Sequence, residues 1–153
     1  MDVMSVGQHK KIYSELISSD SYEVCREVKI ILDRLQMTSG IDIDQQFDIK
    51  VILSELLQNA IKHGNSMDTN KKILVDVWLQ DNSRVLGISV ADQGRGFDVD
   101  RTIRRKSDAI YSPDPLTMDE SGRGLFIVQN LCDDIKFNRM GNAITVKKRL
   151  NPS

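Results

Sequence analysis

Apolar residues in this chain fall into two repeats, one of three and four residues and one of two. Between Tyr22 and Met37 the side chains Val24, Val28, Ile31, Leu32 and Leu35 share one side of a 3.6-residue period, which predicts a helix. Ser19-Asp20-Ser21 offers N-cap residues for it, Glu23 stands near enough for a capping box, and Thr38-Ser39-Gly40 closes it. A second helix is predicted from Asp42 or Asp44, either of which can cap it, through His63, with Gly64-Asn65-Ser66 as the stop. In it Ile49, Ile52, Leu53, Leu56, Leu57, Ala60 and Ile61 fill one broad apolar arc. Strict alternation over Lys72–Gln80 and Arg84–Ala91 predicts two strands joined by a tight turn at Asp81-Asn82-Ser83. Ile135–Arg139 and Ala143–Leu150 form a second hairpin turned by Met140-Gly141-Asn142. A first strand over His9–Ser18 alternates imperfectly, and a third helix opens at Ser121-Gly122-Arg123-Gly124 with Leu125, Ile127, Val128 and Leu131 on its apolar side.

The resulting order is β-α-α-β-β, a long segment, then α-β-β. Strands joined by hairpins imply a mixed, mostly antiparallel sheet, with the three helices covering one face: an α+β, two-layer sandwich. The opposite sheet face must then be polar or covered by a partner, which makes a homodimer an option. Asp98 to Glu120 has little core-forming pattern, two prolines, and the basic residues Arg101, Arg104, Arg105 and Lys106. Segments of this kind inside a compact domain are functional lids or disordered.

Composition narrows the picture without changing it. A length of 153 residues fits one domain with a real core, residues 1–153. A net charge of -1 supplies no overall attraction to nucleic acid or to a membrane surface. The apolar runs are too short to span a bilayer, and Met1-Asp2-Val3-Met4-Ser5-Val6 is not a secretion signal, so a cytoplasmic protein is expected. Cys25 and Cys132 lie far apart, each inside a predicted helix, and are expected to be reduced core residues.

Three short stretches carry candidate chemistry. Glu55 and Asn59 are four residues apart, so their side chains share a helix face beside the apolar arc, where a polar stripe can line a pocket or merely face solvent. Asp92-Gln93-Gly94-Arg95-Gly96-Phe97 follows a strand; its glycines permit close backbone approach, and its carboxylate can accept from the exocyclic amine of adenine. The same letters also suit an ordinary turn. Gly122-Arg123-Gly124 lies at a helix start, where free N–H groups and the helix dipole favour phosphate. Lys62 either reaches a phosphate or complements the dipole at the helix end, and His63 reads as a packing residue there.

Taken together, Glu55-x-x-x-Asn59-Ala60, Asp92-x-Gly94-x-Gly96-Phe97 and Gly122-Arg123-Gly124-Leu125 resemble the N, G1 and G2 boxes of the GHKL ATPase superfamily, which includes gyrase, histidine kinases and mismatch-repair ATPases. The resemblance runs from about His9 to Leu150. It implies the Bergerat ATP-binding fold, with Asn59 coordinating Mg²⁺, Asp92 holding adenine, and the glycine boxes framing a mobile ATP lid at about 98–121. Histidine kinases typically have Asn where this chain has Glu55, and they carry a phosphoacceptor module. The short chain, the start Ile17-Ser18-Ser19-Asp20, the run Asn59-Ala60-Ile61-Lys62-His63-Gly64 and the ending Val146-Lys147-Lys148-Arg149-Leu150 are instead similar to bacterial anti-sigma-factor serine kinases of the RsbW type. That resemblance implies Glu55 as the general base toward a serine of an antagonist protein, with ATP and Mg²⁺ as cofactors. The implied partners are a sigma factor and its antagonist, with no direct contact to nucleic acid or membrane. Chemically, Asn59 through Mg²⁺, the backbone near Gly122–Gly124 and cations such as Arg123 or Arg105 would neutralise the phosphates while Glu55 accepts the serine proton. A non-kinase ATP-binding module of another partner switch is the competing reading.

Overall fold

The computed structural model describes residues 9–66, 68–94 and 120–150. The elements are β1 (Lys10–Ser18), α1 (Ser21–Ser39), α2 (Ile43–Asn59), a π-helical turn (Ala60–Gly64), β2 (Lys72–Gln80), β3 (Val85–Ala91), α3 (Glu120–Leu131), β4 (Asp134–Phe137) and β5 (Ala143–Arg149). The segment read as an ATP lid, together with Gly96 and Phe97, lies outside the described residues except for its last two positions, which open α3.

The five strands form one sheet in the order β1-β2-β3-β5-β4. All four ladders among the described residues are antiparallel, so the α+β sandwich with a mostly antiparallel sheet holds and its sheet carries no parallel pair there. The reason is topological. The connection from β3 through α3 to β4 joins strands that run the same way, but the β4–β5 hairpin inserts β5 between them, and no parallel pair forms.

The alternation rule accounts for the inner face. Ile73, Val75, Val77 and Leu79 of β2 and Leu86, Ile88 and Val90 of β3 are all buried. The irregular pattern in β1 has a local cause: the register slips between Lys11 and Tyr13, a bulge that lets the adjacent Ile12 and Tyr13 both enter the core. On the outer face the Trp78 indole covers Gly87, Ser14 donates to Asp76, and Leu16 stands opposite Leu74, both exposed.

The helix layer sits on the inner face with α2 between α1 and α3. Asp20 caps α1, accepting from the Tyr22 N–H, and Gly40 closes it at φ +60°, where a side chain would be strained. Asp42, rather than Asp44, caps α2 through the Gln45 N–H. The apolar arc read from the sequence is buried throughout, from Ile49 to Ile61. Lys148 of β5 ties the layers together, reaching Asp48 of α2 at 3.8 Å and the Leu131 carbonyl at the end of α3.

Three local expectations are corrected. Cys25 is exposed, because the buried positions of α1 are Val24, Val28, Ile31 and Leu35 and its neighbour lies 100° round from them. Cys132 is half-buried just past the end of α3 and not within it. The second hairpin turns earlier than Met140, because the Asn138 side chain takes up the N–H groups of Asn142 and Ala143.

Candidate functional site

The site is built on the last turns of α2. Burial of Ile52, Leu53, Leu56 and Leu57 fixes the rotation of the helix and leaves Glu55 and Asn59 half-buried on the edge that faces α3. α3 begins at Glu120, so Gly122 and Gly124 belong to its first turns and are not a loop ahead of it. Gly124 is the contact point: a Cβ there would stand 2.6 Å from Glu55 Oε2 and 3.8 Å from Asn59 Nδ2. Glycine lets the Glu55 carboxylate stand this close to α3; any Cβ would push it back. Gly124 is the fifth residue of α3, so the first-turn N–H groups, which have no partner within their own helix, precede this contact by about one turn.

Beyond Asn59 the helix winds more loosely. Asn65 donates its N–H to the Ala60 carbonyl at 2.8 Å, a five-residue closure that characterises a π turn, and such turns are frequent at functional sites. The turn ends with Gly64 packed against the Asp92 carboxylate, at a place any Cβ would occupy. Gly94 in turn lies against the Gly64 carbonyl with no room for a side chain. Asp92 is thus held on three sides. Its N–H donates to the Asn142 carbonyl at 2.8 Å, its Oδ1 accepts from the Gly94 N–H at 2.7 Å, and Gly64 closes over it. Burial pushes the Asp92 carboxyl above the usual range, and the Gly94 N–H and the Lys71 charge only partly oppose this. A half-buried carboxylate with an unfavourable charge, in a glycine-lined recess, has the character of a ligand-accepting group.

The structure therefore gathers the sequence candidates into two clusters: Glu55, Asn59 and Gly124, and Asp92, Gly64 and Gly94. Gly64 is five residues beyond Asn59, roughly 7 Å along the helix at 1.5 Å per residue. Lys62 is half-buried within the π turn, Arg123 is half-buried and Leu125 is buried in α3. His63 is exposed, which corrects its reading as a packing residue: the wider π turn carries it outward. Among the described residues no group of three or more His, Cys, Asp or Glu side chains could hold a metal by itself. The oxygens of Asn59 and Glu55 nevertheless suit a hard cation of the Mg²⁺ type, which takes one or two protein ligands and completes its shell with phosphate and water.

One residue of the site was missed in the sequence. Asn65 is fully buried, and its side chain accepts from the Gln93 N–H at 2.8 Å and donates to Ser19 Oγ and the Lys72 carbonyl. An Asn after a helix-stopping Gly reads as turn chemistry, and nothing in the spacing signals this burial.

Comparison with known proteins agrees with the fold. The model of the histidine kinase-like ATPase domain matches residues 19–148. The chain is 28% identical over 142 residues to the serine-protein kinase RsbW of Bacillus licheniformis, covering 91% of this chain and 86% of that one. It is 31% identical over 112 residues to the anti-sigma F factor of Shouchella clausii, covering 71% and 72%. The anti-sigma F factor of Bacillus subtilis (strain 168) is 28% identical over 114 residues, covering 72% and 74%. The match spans both glycine-lined clusters, and the chain belongs to the histidine kinase-like ATPase domain family.

Proposed function

We propose that this chain, as a single domain over residues 1–153, is an ATP-dependent serine kinase that also holds a sigma factor and phosphorylates a serine on that factor's antagonist. The observation that carries the reading is the packing of the Glu55 carboxylate and the Asn59 carboxamide against Gly124 at the start of α3. In this reading Glu55 is a proton acceptor and Asn59 a metal ligand, about one turn from a helix N-terminus suited to phosphate. The names of the relatives, serine-protein kinase and anti-sigma factor, point to the same partner classes.

In this reading Asp92 accepts a hydrogen bond from the exocyclic amine of adenine, in the recess made by Gly64 and Gly94. Asn59 would hold Mg²⁺, which when bound neutralises phosphate charge and keeps the nucleotide oriented. The N–H groups near Gly122, with Lys62 and Arg123, would face the phosphate charge; Gly96, Phe97 and Leu125 are assigned to the nucleotide site by their motif positions alone. Glu55 orients the serine hydroxyl and receives its proton as the oxygen attacks the γ-phosphorus and the bond from that phosphorus to the β–γ bridging oxygen breaks, releasing ADP. This reading places the protein in the cytoplasm. Among the described residues no helix is long and apolar enough to cross a membrane.

The test combines the purified protein, Mg-ATP and a candidate antagonist, and reads phosphoserine by mass spectrometry. Glu55→Gln keeps the size of the side chain but removes its basicity, and transfer is expected to fall by about 10²-fold or more while ATP binding persists. Equal labelling by wild type and variant would overturn the general-base role. Tight ATP binding with no labelling of any antagonist would favour a binding module without transferase activity.

A further inference from the structure

Asn65 stands at a junction that neither glycine-lined cluster explains. It follows the π turn and is fully buried, and its single carboxamide joins three other segments. Oδ1 accepts from the Gln93 N–H at 2.8 Å; Nδ2 donates to Ser19 Oγ at 2.6 Å, where β1 passes into α1, and to the Lys72 carbonyl at 3.0 Å, where β2 begins. The amide orientation is unambiguous, because the Gln93 N–H can only donate and the Lys72 carbonyl can only accept. Gln93 returns the connection, its side-chain oxygen accepting from the Lys72 N–H at 2.6 Å. Ser19 Oγ passes its own hydrogen to the Lys71 carbonyl at 2.9 Å, so every member of the network is satisfied.

The residue between these anchors is Asp92. Its own N–H is held by Asn142, and the next N–H in the chain is held by Asn65. With both flanking peptide groups fixed, the Asp92 Cα–Cβ bond has a set direction, and the Gly94 N–H and Gly64, the residue that immediately precedes Asn65, hold the carboxylate along it. We propose that Asn65 is the positioning residue of the nucleotide-base site, coupling the end of the Asn59 helix to the aim of the Asp92 carboxylate. The proposal rests on the reading of Asp92 as the adenine acceptor. It adds a specific consequence: loss of the carboxamide blurs the choice of base before it weakens the hold on phosphate. Aspartate in its place would keep the acceptor for Gln93 but lose both donors, and alanine would lose all three bonds.

The experiment measures the affinities of Mg-ATP and Mg-GTP for the full chain by calorimetry, alongside melting temperature. Asn65→Ala is expected to melt lower and to bind ATP about tenfold more weakly, the scale of one net hydrogen bond, with GTP changing by less than about threefold. Asn65→Asp is expected to keep the ATP-to-GTP ratio within about threefold of wild type, since Oδ1 remains. A folded alanine variant with the wild-type ratio, whether both affinities hold or both fall together, overturns the proposal and leaves Asn65 a purely structural residue. Loss of discrimination in a folded aspartate variant overturns it as well. Hydrogen exchange on the wild type needs no variant: the Gln93 amide should exchange slowly in the free protein, and rapid exchange refutes the anchor. Asp92→Asn run in parallel separates the premise from the proposal. If that change leaves the ratio untouched, the base-site reading has failed; if it lowers the ratio while Asn65→Ala does not, the positioning role has failed.

Discussion

Gly124→Ala should move stability and activity in opposite directions. Gly124 is inside α3, where alanine is favoured over glycine by about 1 kcal/mol of helix propensity. The new Cβ would lie 2.6 Å from Glu55 Oε2, where ordinary contact begins near 3.4 Å, so the carboxylate must retreat by the difference. That retreat is inexpensive for folding, because the atom displaced is the end of a flexible, half-buried side chain. The Asn59 amide, 3.8 Å from the same Cβ, is already at a comfortable distance and should not move. The free protein is therefore expected to melt at the wild-type temperature or up to about 4 °C higher, given a ΔΔG near 1 kcal/mol in a chain of this size. Transfer is far less tolerant, since a misplacement of about 1 Å at a reacting group can cost on the order of 10²-fold. Phosphoserine formation under saturating Mg-ATP should fall ten- to a hundredfold, an estimate on the same basis, while ATP affinity stays nearly level. Differential scanning calorimetry, ATP titration and a single-turnover transfer assay read the three quantities. Unimpaired transfer would remove Glu55 from the chemistry. A fall in stability of more than about 1 kcal/mol would mean that the helix contact is tighter than the side-chain argument allows.

Two further substitutions probe the Asp92 recess. Because burial raises the Asp92 carboxyl in the folded state, its contribution to stability is present below the ordinary carboxylate pKa and lost as pH rises through the folded value. At neutral pH the ionised group is a cost, so Asp92→Asn should raise the melting temperature of the nucleotide-free protein at pH 7 while weakening ATP binding several-fold or more. The stabilisation should shrink as pH falls through the carboxylate range; one that is unchanged at low pH, or absent at pH 7, contradicts the burial argument. Gly94→Ala drives a Cβ into the Gly64 carbonyl, which is backbone and cannot swing aside, so a loss of about 1–3 kcal/mol in chemical denaturation is expected together with weaker ATP binding. Wild-type stability in that variant would show that the two backbones do not meet.

Much of this architecture was legible in the chain because it depends on local periodicity. The apolar arc of α2 from Ile49 to Ile61 is buried as the 3.6-residue period requires, and β2 and β3 put their alternate residues inward. The Asp81-Asn82-Ser83 turn takes positive φ at all three residues, as its short polar side chains permit. The same periodicity placed Glu55 and Asn59 on one face, and glycine spacing brought Asp92 and Gly124 into consideration. What periodicity cannot supply is the distance to a neighbouring element. It could not tell that the turn after Asn59 widens and His63 faces solvent, or that β5 slips between β3 and β4 to leave an all-antiparallel sheet.

The site itself divides in the same way. The sequence alone singled out the candidate groups and the helix face or strand end that presents them, because a side chain's direction relative to its own axis is set by backbone geometry. Tertiary structure decided the contacts: Gly124 against Glu55, Gly64 and Gly94 around Asp92, and the burial of Asn65. Gly124 and Glu55 are 69 positions apart in the chain, and Gly64 and Asp92, like Asn65 and Gln93, are 28 apart; such contacts arise from packing between elements rather than from propensity within one.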